Sequence, residues 1–392
     1  DNGQAQEVWL NNGTGSFGSA AHATFGAGDS QSIVLGDVDG DGDLDLLAVT
    51  GGHMTPGGPL GVPEVVVFND GGDFRQRQLP IAPRPPGFNL LVAMLTDRDG
   101  DGRLDILLPT DDEKPSSFLH NDGLNGEGLP TFTDEAGALG TDLVLAAMGV
   151  DNADLNGDGQ LDYCITDTGP PVCLLSHPSG YVESGAALGL LPDEPLDDLH
   201  ATVGWGIALA DLDNDGWLDV LQASGPQPED DDSFPTQEDV RDLLWFGGPG
   251  GFTDFSAELG FDSPDNDVSV VAADLDGDGW LDALRAGADV PPKLWINRCG
   301  PGRWLEVELR GTIGNRQGFG AQVSLEVDGA MQVREIHGPT GPAQSPSRVH
   351  FGLGEAPDLG VLRVRWLDGT VQDVPTGALD RRILVEHPAA GP

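Results

Sequence analysis

Residues 37 to 45 read DVDGDGDLD, and the chain writes variants of this nonapeptide four more times. The copies are DRDGDGRLD from Asp97, DLNGDGQLD from Asp154, DLDNDGWLD from Asp211 and DLDGDGWLD from Asp274. Their starts lie 60, 57, 57 and 63 residues apart. Spacing this even marks a repeat architecture with five units of about sixty residues. Such a stretch makes neither a packed strand nor a stable helix, because its like charges repel and glycine favours neither state. Any fold for this chain must therefore place five acidic loops at equivalent positions and supply something that holds their carboxylates together.

A hard cation meets that demand. Acidic or amide side chains fall at loop positions 1, 3, 5 and 9, and position 6 is always glycine. This is the first three quarters of an EF-hand calcium loop, in which positions 1, 3 and 5 give side-chain oxygens, position 7 a backbone carbonyl, and glycine at 6 the sharp turn. Here the aspartate at position 9 comes early and could supply the last oxygens. The side-chain ligand sets are Asp37, Asp39, Asp41 and Asp45; Asp97, Asp99, Asp101 and Asp105; Asp154, Asn156, Asp158 and Asp162; Asp211, Asp213, Asp215 and Asp219; and Asp274, Asp276, Asp278 and Asp282. The carbonyls of Asp43, Arg103, Gln160, Trp217 and Trp280 would complete them. About five Ca²⁺ ions are expected, one per loop, and Mg²⁺ fits a flexible carboxylate cage less well. Asn156 replaces a carboxylate, so the third loop is expected to bind most weakly.

EF-hand loops sit between helices, and these do not. Each follows a short apolar run (SIVLG, VAMLT, AMGVDNA, GIALA, VVAA) and precedes another (LLAV, ILLP, YCIT, VLQA, ALRA). Runs of four to seven residues rich in Val, Ile, Leu and Ala, bounded by Gly and Asp, read as buried strands. The loop is then a hairpin tip. A third run follows each hairpin (EVVVFND, SFLHND, VCLLSHP, DLLWFGG, KLWINR), and a fourth follows most of them (DFRQRQL, TFTDEAG, GYVESG, FTDFSAEL). Four antiparallel strands in about sixty residues, repeated radially, is the β-propeller answer to exposed sheet edges. A solenoid is the alternative, although its repeats are usually shorter.

The pattern D-x-D-x-D-G-x-L-D after an apolar strand, followed by a strand ending in N-x-G-x-G-x-F, resembles the FG-GAP/VCBS repeats of integrin-type propellers. VWLNNGTGSF (Trp9 to Phe17 at its centre) and VVFNDGGDF carry the second half best. The likeness covers about residues 1–298 and implies a calcium-binding propeller over 1–300. The opening VWLNNGTGSF corresponds to the third and fourth strands of a unit whose first half is missing. Either residues upstream of Asp1 are absent, the reading favoured here, or this end closes the ring by completing the fifth blade. Five or six blades follow.

From Cys299 onward the writing changes. WLEVELRG, AQVSLEVDG, MQVREI, VHFGLG, LRVRWLDG and RILVEH alternate apolar and polar residues, the mark of strands with one wet face. Residues 301–392 are thus expected to form a small antiparallel β-sandwich. RWLEVELRGTIGNRQGFGAQVSLEVDG, VHFGLG and LRVRWLDGTVQDV are similar to the ASPIC/UnbV domain that follows FG-GAP repeats in the cartilage acidic protein family. That resemblance implies a secreted, acidic, calcium-binding protein and no catalytic residue. The family's G-x-G-Y-x-S-Q stretch reads GPTGPAQSPS here, so its tyrosine is gone.

The formal charge is −46. Residues 303–392 hold nine Arg, no Lys and eleven acids, net −2, which leaves −44 on the rest. Nineteen of those acids are the loop aspartates, and five Ca²⁺ would bring the propeller to about −34. Nucleic acid is excluded as a partner, because its phosphates would be repelled. Cys164 and Cys173 fall on the second and third strands of one unit, where neighbouring antiparallel strands meet disulfide spacing; two buried thiols are the alternative. Cys299 is left over, either free or paired between molecules. Weak calcium sites and a bridge both point outside the cytosol. No signal peptide or membrane-spanning stretch is written in the chain, so a processed or trimmed start is expected.

No catalytic motif emerges. The eight histidines are scattered, H-E-x-x-H, G-x-S-x-G and a P-loop are missing, and His350 in VHFGLG reads as a strand residue. Two acidic inserts, 191–200 and 225–241, lengthen connections, either as disordered loops or as partner-contacting lids. Trp217 and Trp280 read as packing between blades. The expectation is an extracellular binding or adhesion module for a protein or glycan at the cell surface or matrix, with calcium in a structural role. An enzyme acting on extracellular sugars or polymers through a central pocket, and a subunit of a surface assembly, are the other readings.

Overall fold

In the computed structural model each acidic loop is the tip of an antiparallel hairpin, and the residue just before the loop faces its ninth residue. These closing pairs are Gly36 with Asp45, Thr96 with Asp105, Ala153 with Asp162, Ala210 with Asp219 and Ala273 with Asp282. The structure describes residues 6–18, 20–25, 30–50, 65–78, 90–191, 202–225, 240–287, 290–298, 300–312, 315–341, 344–355 and 357–389. Cys299 and nearly all of both inserts lie outside these residues. No helix among them is long and apolar enough to cross a membrane.

Four blades are four-stranded antiparallel sheets in simple meander order. The first holds Ser30–Gly36, Asp45–Thr50, Val65–Asp70 and Asp73–Gln78. The second holds Met94–Thr96, Asp105–Leu108, Ser117–Leu124 and Pro130–Asp134. Val150–Ala153, Asp162–Ile165, Val172–His177 and Gly180–Glu183 make the third, and Val203–Ala210, Asp219–Gly225, Leu243–Phe246 and Thr253–Asp254 the fourth. The fifth stops at three strands, Asp267–Ala273, Asp282–Gly287 and Lys293–Trp295. The second strands are buried without alternation in the middle blades, as in Asp219–Gly225, where every residue is buried, the polar Gln222 and Ser224 included.

Separate apolar clusters glue successive blades. Val34, Leu47 and Val66 meet Leu95, Leu104 and Ile106 between blades one and two. Met94, Leu107 and Phe118 meet Val150, Tyr163 and Ile165 between two and three. Cys164 and Cys173 meet Val220 and Trp245 between three and four, and Leu221 meets Val270 and Leu281 between four and five. This chain of face-to-face packings is the propeller arrangement.

The opening segment stands apart from the five blades. VWLNNGTGSF lies within an antiparallel pair of strands, bridged at Asn11 and Phe17, as expected of a partial unit, and among the described residues it is not joined to the fifth blade. Gln6–Val8 pairs with Ala23–Phe25 as a separate two-stranded sheet, and Phe25 packs on Val67 of blade one. Local side-chain bonds shape the turn between the two: Asn11 Oδ1 accepts from the amides of Gly13 and Gly15, and Asn12 Oδ1 from Thr14.

From Trp304 on, two sheets enclose one core of Leu305, Val307, Val323, Leu325, Phe351, Leu362 and Val364. One sheet orders Arg348–Gly352, Trp304–Arg310 and Arg381–Glu386; the other orders Ala330–Glu335, Gln322–Val327, Leu359–Arg365 and Val371–Val374. One pairing departs from the antiparallel expectation. Trp304–Arg310 and Arg381–Glu386 run parallel, because the last strand reaches the first only after crossing from the opposite sheet. This sandwich lies on the loop end of the blades. The amide of Asp154 donates to the carbonyl of Val333 (3.2 Å), that of Gly354 to the carbonyl of Asn214 (2.8 Å), and Leu35 and Leu44 pack against the sandwich core.

Candidate metal centres

Position 9 is the structural knot of every loop. Asp45, Asp105, Asp162, Asp219 and Asp282 each open a second strand and are fully buried. One oxygen accepts an amide within or just after the third strand: Asn69 (2.9 Å), Asn121 (2.8 Å), Ser176 (2.7 Å), Gly247 (2.9 Å) and Asn297 (2.9 Å) respectively. In four loops the other oxygen accepts the position 2 amide, from Val38, Leu155, Leu212 and Leu275. One carboxylate thus ties the loop to two strands, and each oxygen keeps a lone pair toward the loop interior.

Position 1 organises the turn. Asp37, Asp97, Asp154, Asp211 and Asp274 accept the amides of the position 6 glycines, Gly42, Gly102, Gly159, Gly216 and Gly279. Those glycines have φ between 83° and 98°, the left-handed region that a side chain disfavours. Position 5 accepts the amide of position 7: Asp41 from Asp43, Asp101 from Arg103, Asp158 from Gln160, Asp215 from Trp217 and Asp278 from Trp280. Position 3 accepts from position 5 in the first four loops, through Asp39, Asp99, Asn156 and Asp213.

These bonds turn carboxylates inward. Oxygens of Asp37, Asp39 and Asp41 lie within 4.8 Å of one another, as do those of Asp211, Asp213 and Asp219, and of Asp274, Asp276 and Asp282. In the second loop the converging set is Asp99, Asp101 and His120, a ligand type the sequence pattern did not include. The third loop, with Asn156, brings no such acidic trio together among the described residues. Burial raises Asp37 to about 7, and Asp45 and Asp211 to about 8, with neighbouring loop carboxylates pushing the same way. An all-oxygen, closely spaced, partly desolvated donor set of this kind fits Ca²⁺. Trp280 is buried beside Gly300 at the junction with the sandwich, and Trp217 stands exposed rather than packed between blades. Cys164 and Cys173, opposite each other in register, are joined by a disulfide with Cα atoms 4.1 Å apart.

Residues 1–48 and 154–221 match the model of the FG-GAP-like repeat, and residues 311–392 match that of ASPIC and UnbV. The chain carries FG-GAP-like repeats and a C-terminal ASPIC/UnbV domain. No curated protein matches it. Among solved structures, it is similar to an Agrocybe aegerita lectin described as recognising non-reducing terminal N-acetylglucosamine, at 18% identity over 74% of each chain, with a TM-score of 0.41. It is also similar to the Photorhabdus luminescens Tc holotoxin pore, at 15% identity over 96% of this chain and 14% of that one, with a TM-score of 0.30.

The ASPIC/UnbV sandwich adds residues that motif reading missed. Where it meets the FG-GAP-like blades it closes a cavity of about 110 Å³, lined by Asp151, Arg334, Glu335, His337 and His350 among others. His337 Nε2 is 3.0 Å from Asp151. Burial alone would push this imidazole down, but the hydrogen bond and charge of Asp151 outweigh it and hold the group at about 9. Glu335 accepts from Asn152 Nδ2 (2.7 Å) and the Asp97 amide (2.9 Å). Arg334 is buried, and its charge acts on Asp154, Asp211 and Asp151 from beyond ion-pair reach. His350 stands in its strand as expected, stacked on Trp304 and bonded to Asn214 (2.6 Å), and burial with Arg334 beside it lowers it to about 3. None of these pairings has a local sequence signal, since their partners lie 136 to 238 residues apart.

Proposed function

We propose that this protein is an extracellular calcium-stabilised propeller that works as a binding or adhesion module for a protein or glycan of the cell surface or matrix. The observation that carries the calcium part is the geometry of loops one, four and five. There, three carboxylates converge within 4.8 Å, and among the described residues no Arg, Lys or His comes within ion-pair distance of them. Such a cluster repels itself until a divalent cation arrives, so an ion bound to the folded state adds stability by mass action. The loops stand at hairpin tips under the sandwich, which favours a structural over a catalytic role for the ion. The disulfide supports a place outside the cytosol. The test is a thermal melt in Ca²⁺, in Mg²⁺ and in EDTA. Calcium should raise the melting temperature clearly above both of the others; three superimposable melts would refute the reading.

A second reading is an enzyme acting on extracellular sugars or polymers. It rests on the cavity under the sandwich, where the Asp151–His337 pair and Glu335 place acid and base groups together. Hydrolysis of a matrix polysaccharide that disappears in His337→Gln, with the melt unchanged, would favour it over the binding module.

A further inference from the structure

The second loop is built differently from the other four, and the differences bring in basic side chains. At position 2 the others carry Val38, Leu155, Leu212 or Leu275; here it is Arg98. Position 7 is Asp43, Gln160, Trp217 or Trp280 elsewhere, and Arg103 here. The third-strand residue just before the amide that reaches position 9 is Phe68, Leu175, Phe246 or Ile296 in the other blades, and His120 in this one. A third guanidinium arrives from the sandwich, Arg365.

These groups meet all four carboxylates. Arg365 Nη1 lies 2.6 Å from Asp97 Oδ2. Arg103 forms an ion pair with Asp101 and donates from Nε to the carbonyl of Asn121 (2.7 Å). Arg98 stands 3.5 Å from Asp105 and 3.9 Å from Asp99, held from behind by Glu135 at 2.8 Å. His120 Nδ1 is 3.2 Å from Asp105 and 3.5 Å from Asp99. Among the described residues no ligand carboxylate of the other four loops has an Arg, Lys or His within ion-pair distance. The backbone signature changes too. The position 2 amide that bonds position 9 elsewhere does not do so here, and Asp105 Oδ2 has no hydrogen-bond partner, facing the Arg98 guanidinium instead. Four aspartates and three arginines leave this loop at −1, whereas the side-chain ligands of loops four and five stand at −4 each.

We propose that the second loop is not a calcium site but an anionic socket filled by the protein's own cations, which latches the sandwich to the propeller through Arg365. A divalent ion entering it would face three guanidiniums already seated against the carboxylates it needs, and like charges at such range repel strongly. Gln322 Nε2, donating to the Asp97 carbonyl at 2.8 Å, and Glu335, accepting the Asp97 amide, come from the same sandwich sheet and grip the same residue. The ion pair is therefore one part of a three-point hold on Asp97. This inference rests on the calcium reading of the other loops only for its ion count.

Two measurements on the full chain test it. Bound calcium per molecule, by native mass spectrometry, should be the same in wild type and in Asp99→Asn/Asp101→Asn, and one lower in Asp213→Asn/Asp215→Asn. A count that falls by one in the second-loop variant overturns the proposal. Arg365→Gln should lower the melting temperature by about 2 °C or more in calcium and in EDTA alike, with Arg365→Lys recovering part of the loss; no loss in either medium overturns the latch. A wild type that takes up no calcium would sink the calcium reading of all the loops, and the Arg365 comparison in EDTA would still decide the latch.

Discussion

At the scale of single residues, the loop aspartates do two jobs that pull against each other. As acceptors they fix the hairpin tip; as buried charges they strain it. Asp45 is fully buried and receives the amides of Val38 and Asn69, and at 3.3 Å that of Asp39. Asp45→Ala strips the buried Val38 and Asn69 amides of their acceptor and should cost about 1–3 kcal/mol for each, read as a fall in the urea midpoint. The second job gives a pH dependence with a definite sign. Asp37 titrates at about 7 and Asp45 and Asp211 at about 8 in the fold, against 3.8 for a free side chain. Groups raised on folding stabilise most below their unfolded value, and that stability is lost as pH rises through the folded value. In EDTA the melting temperature should thus fall between about pH 4 and pH 8. Calcium displaces these protons, so the gap between calcium and EDTA melts should widen over the same interval. A gap that narrows toward pH 8 would contradict this account. The sequence alone exposed positions 1, 3, 5 and 9, because ligand spacing is local. It did not single out Arg98 and Arg103 as neutralising groups, although they are written within the motif, nor Arg365, because their effect depends on where a second domain and neighbouring strands place charge.

The hairpin is the element in which reading and structure meet most closely. Its two strands are apolar, its tip is pinned by position 9, and the register follows from the closing pair, as with Ala210 and Asp219. The third strands were equally legible, being apolar runs that end in Asn, Gly or Ser. Less legible were segments whose partners are distant. The Gln6–Val8 strand pairs with Ala23–Phe25 across a turn-rich stretch, and the repeat pattern did not mark the second of these strands. Within blade three the disulfide joins strands already neighbours, closing a loop of nine residues' separation. A loop that short is worth about 2–3 kcal/mol in the chain-entropy picture. Cys164→Ala/Cys173→Ala should therefore leave a folded, cooperative protein whose unfolding free energy falls by about that amount plus the cost of the deleted buried atoms. Failure to fold at all would mean that the bridge does more than restrict the unfolded chain.

Over the whole molecule, charge is divided between the two parts in a way that fits their contact. The blades and their loops carry −44, while the last ninety residues stand at −2 and hold nine arginines. Arg365 and Arg334 from that part reach the loop end of blades two, three and four. Composition made the imbalance visible, but not its use, since nothing in either half marks the surface where they meet. The balance of repulsion within the propeller and attraction to the sandwich predicts a salt response. Ions screen exposed charges over about 10 Å at 0.1 M and about 3 Å at 1 M. The self-repulsion of a −44 body acts over many exposed residues and is screened first, whereas the Arg365–Asp97 pair is largely enclosed, with Asp97 fully buried. In EDTA, sodium chloride should thus raise the melting temperature, and in calcium the rise should be smaller, because bound ions have already removed part of the repulsion. A melting temperature that falls with salt in EDTA would instead mean that ion pairs such as Arg363–Asp373 and Arg303–Asp380, exposed and readily screened, outweigh the repulsion among the loops.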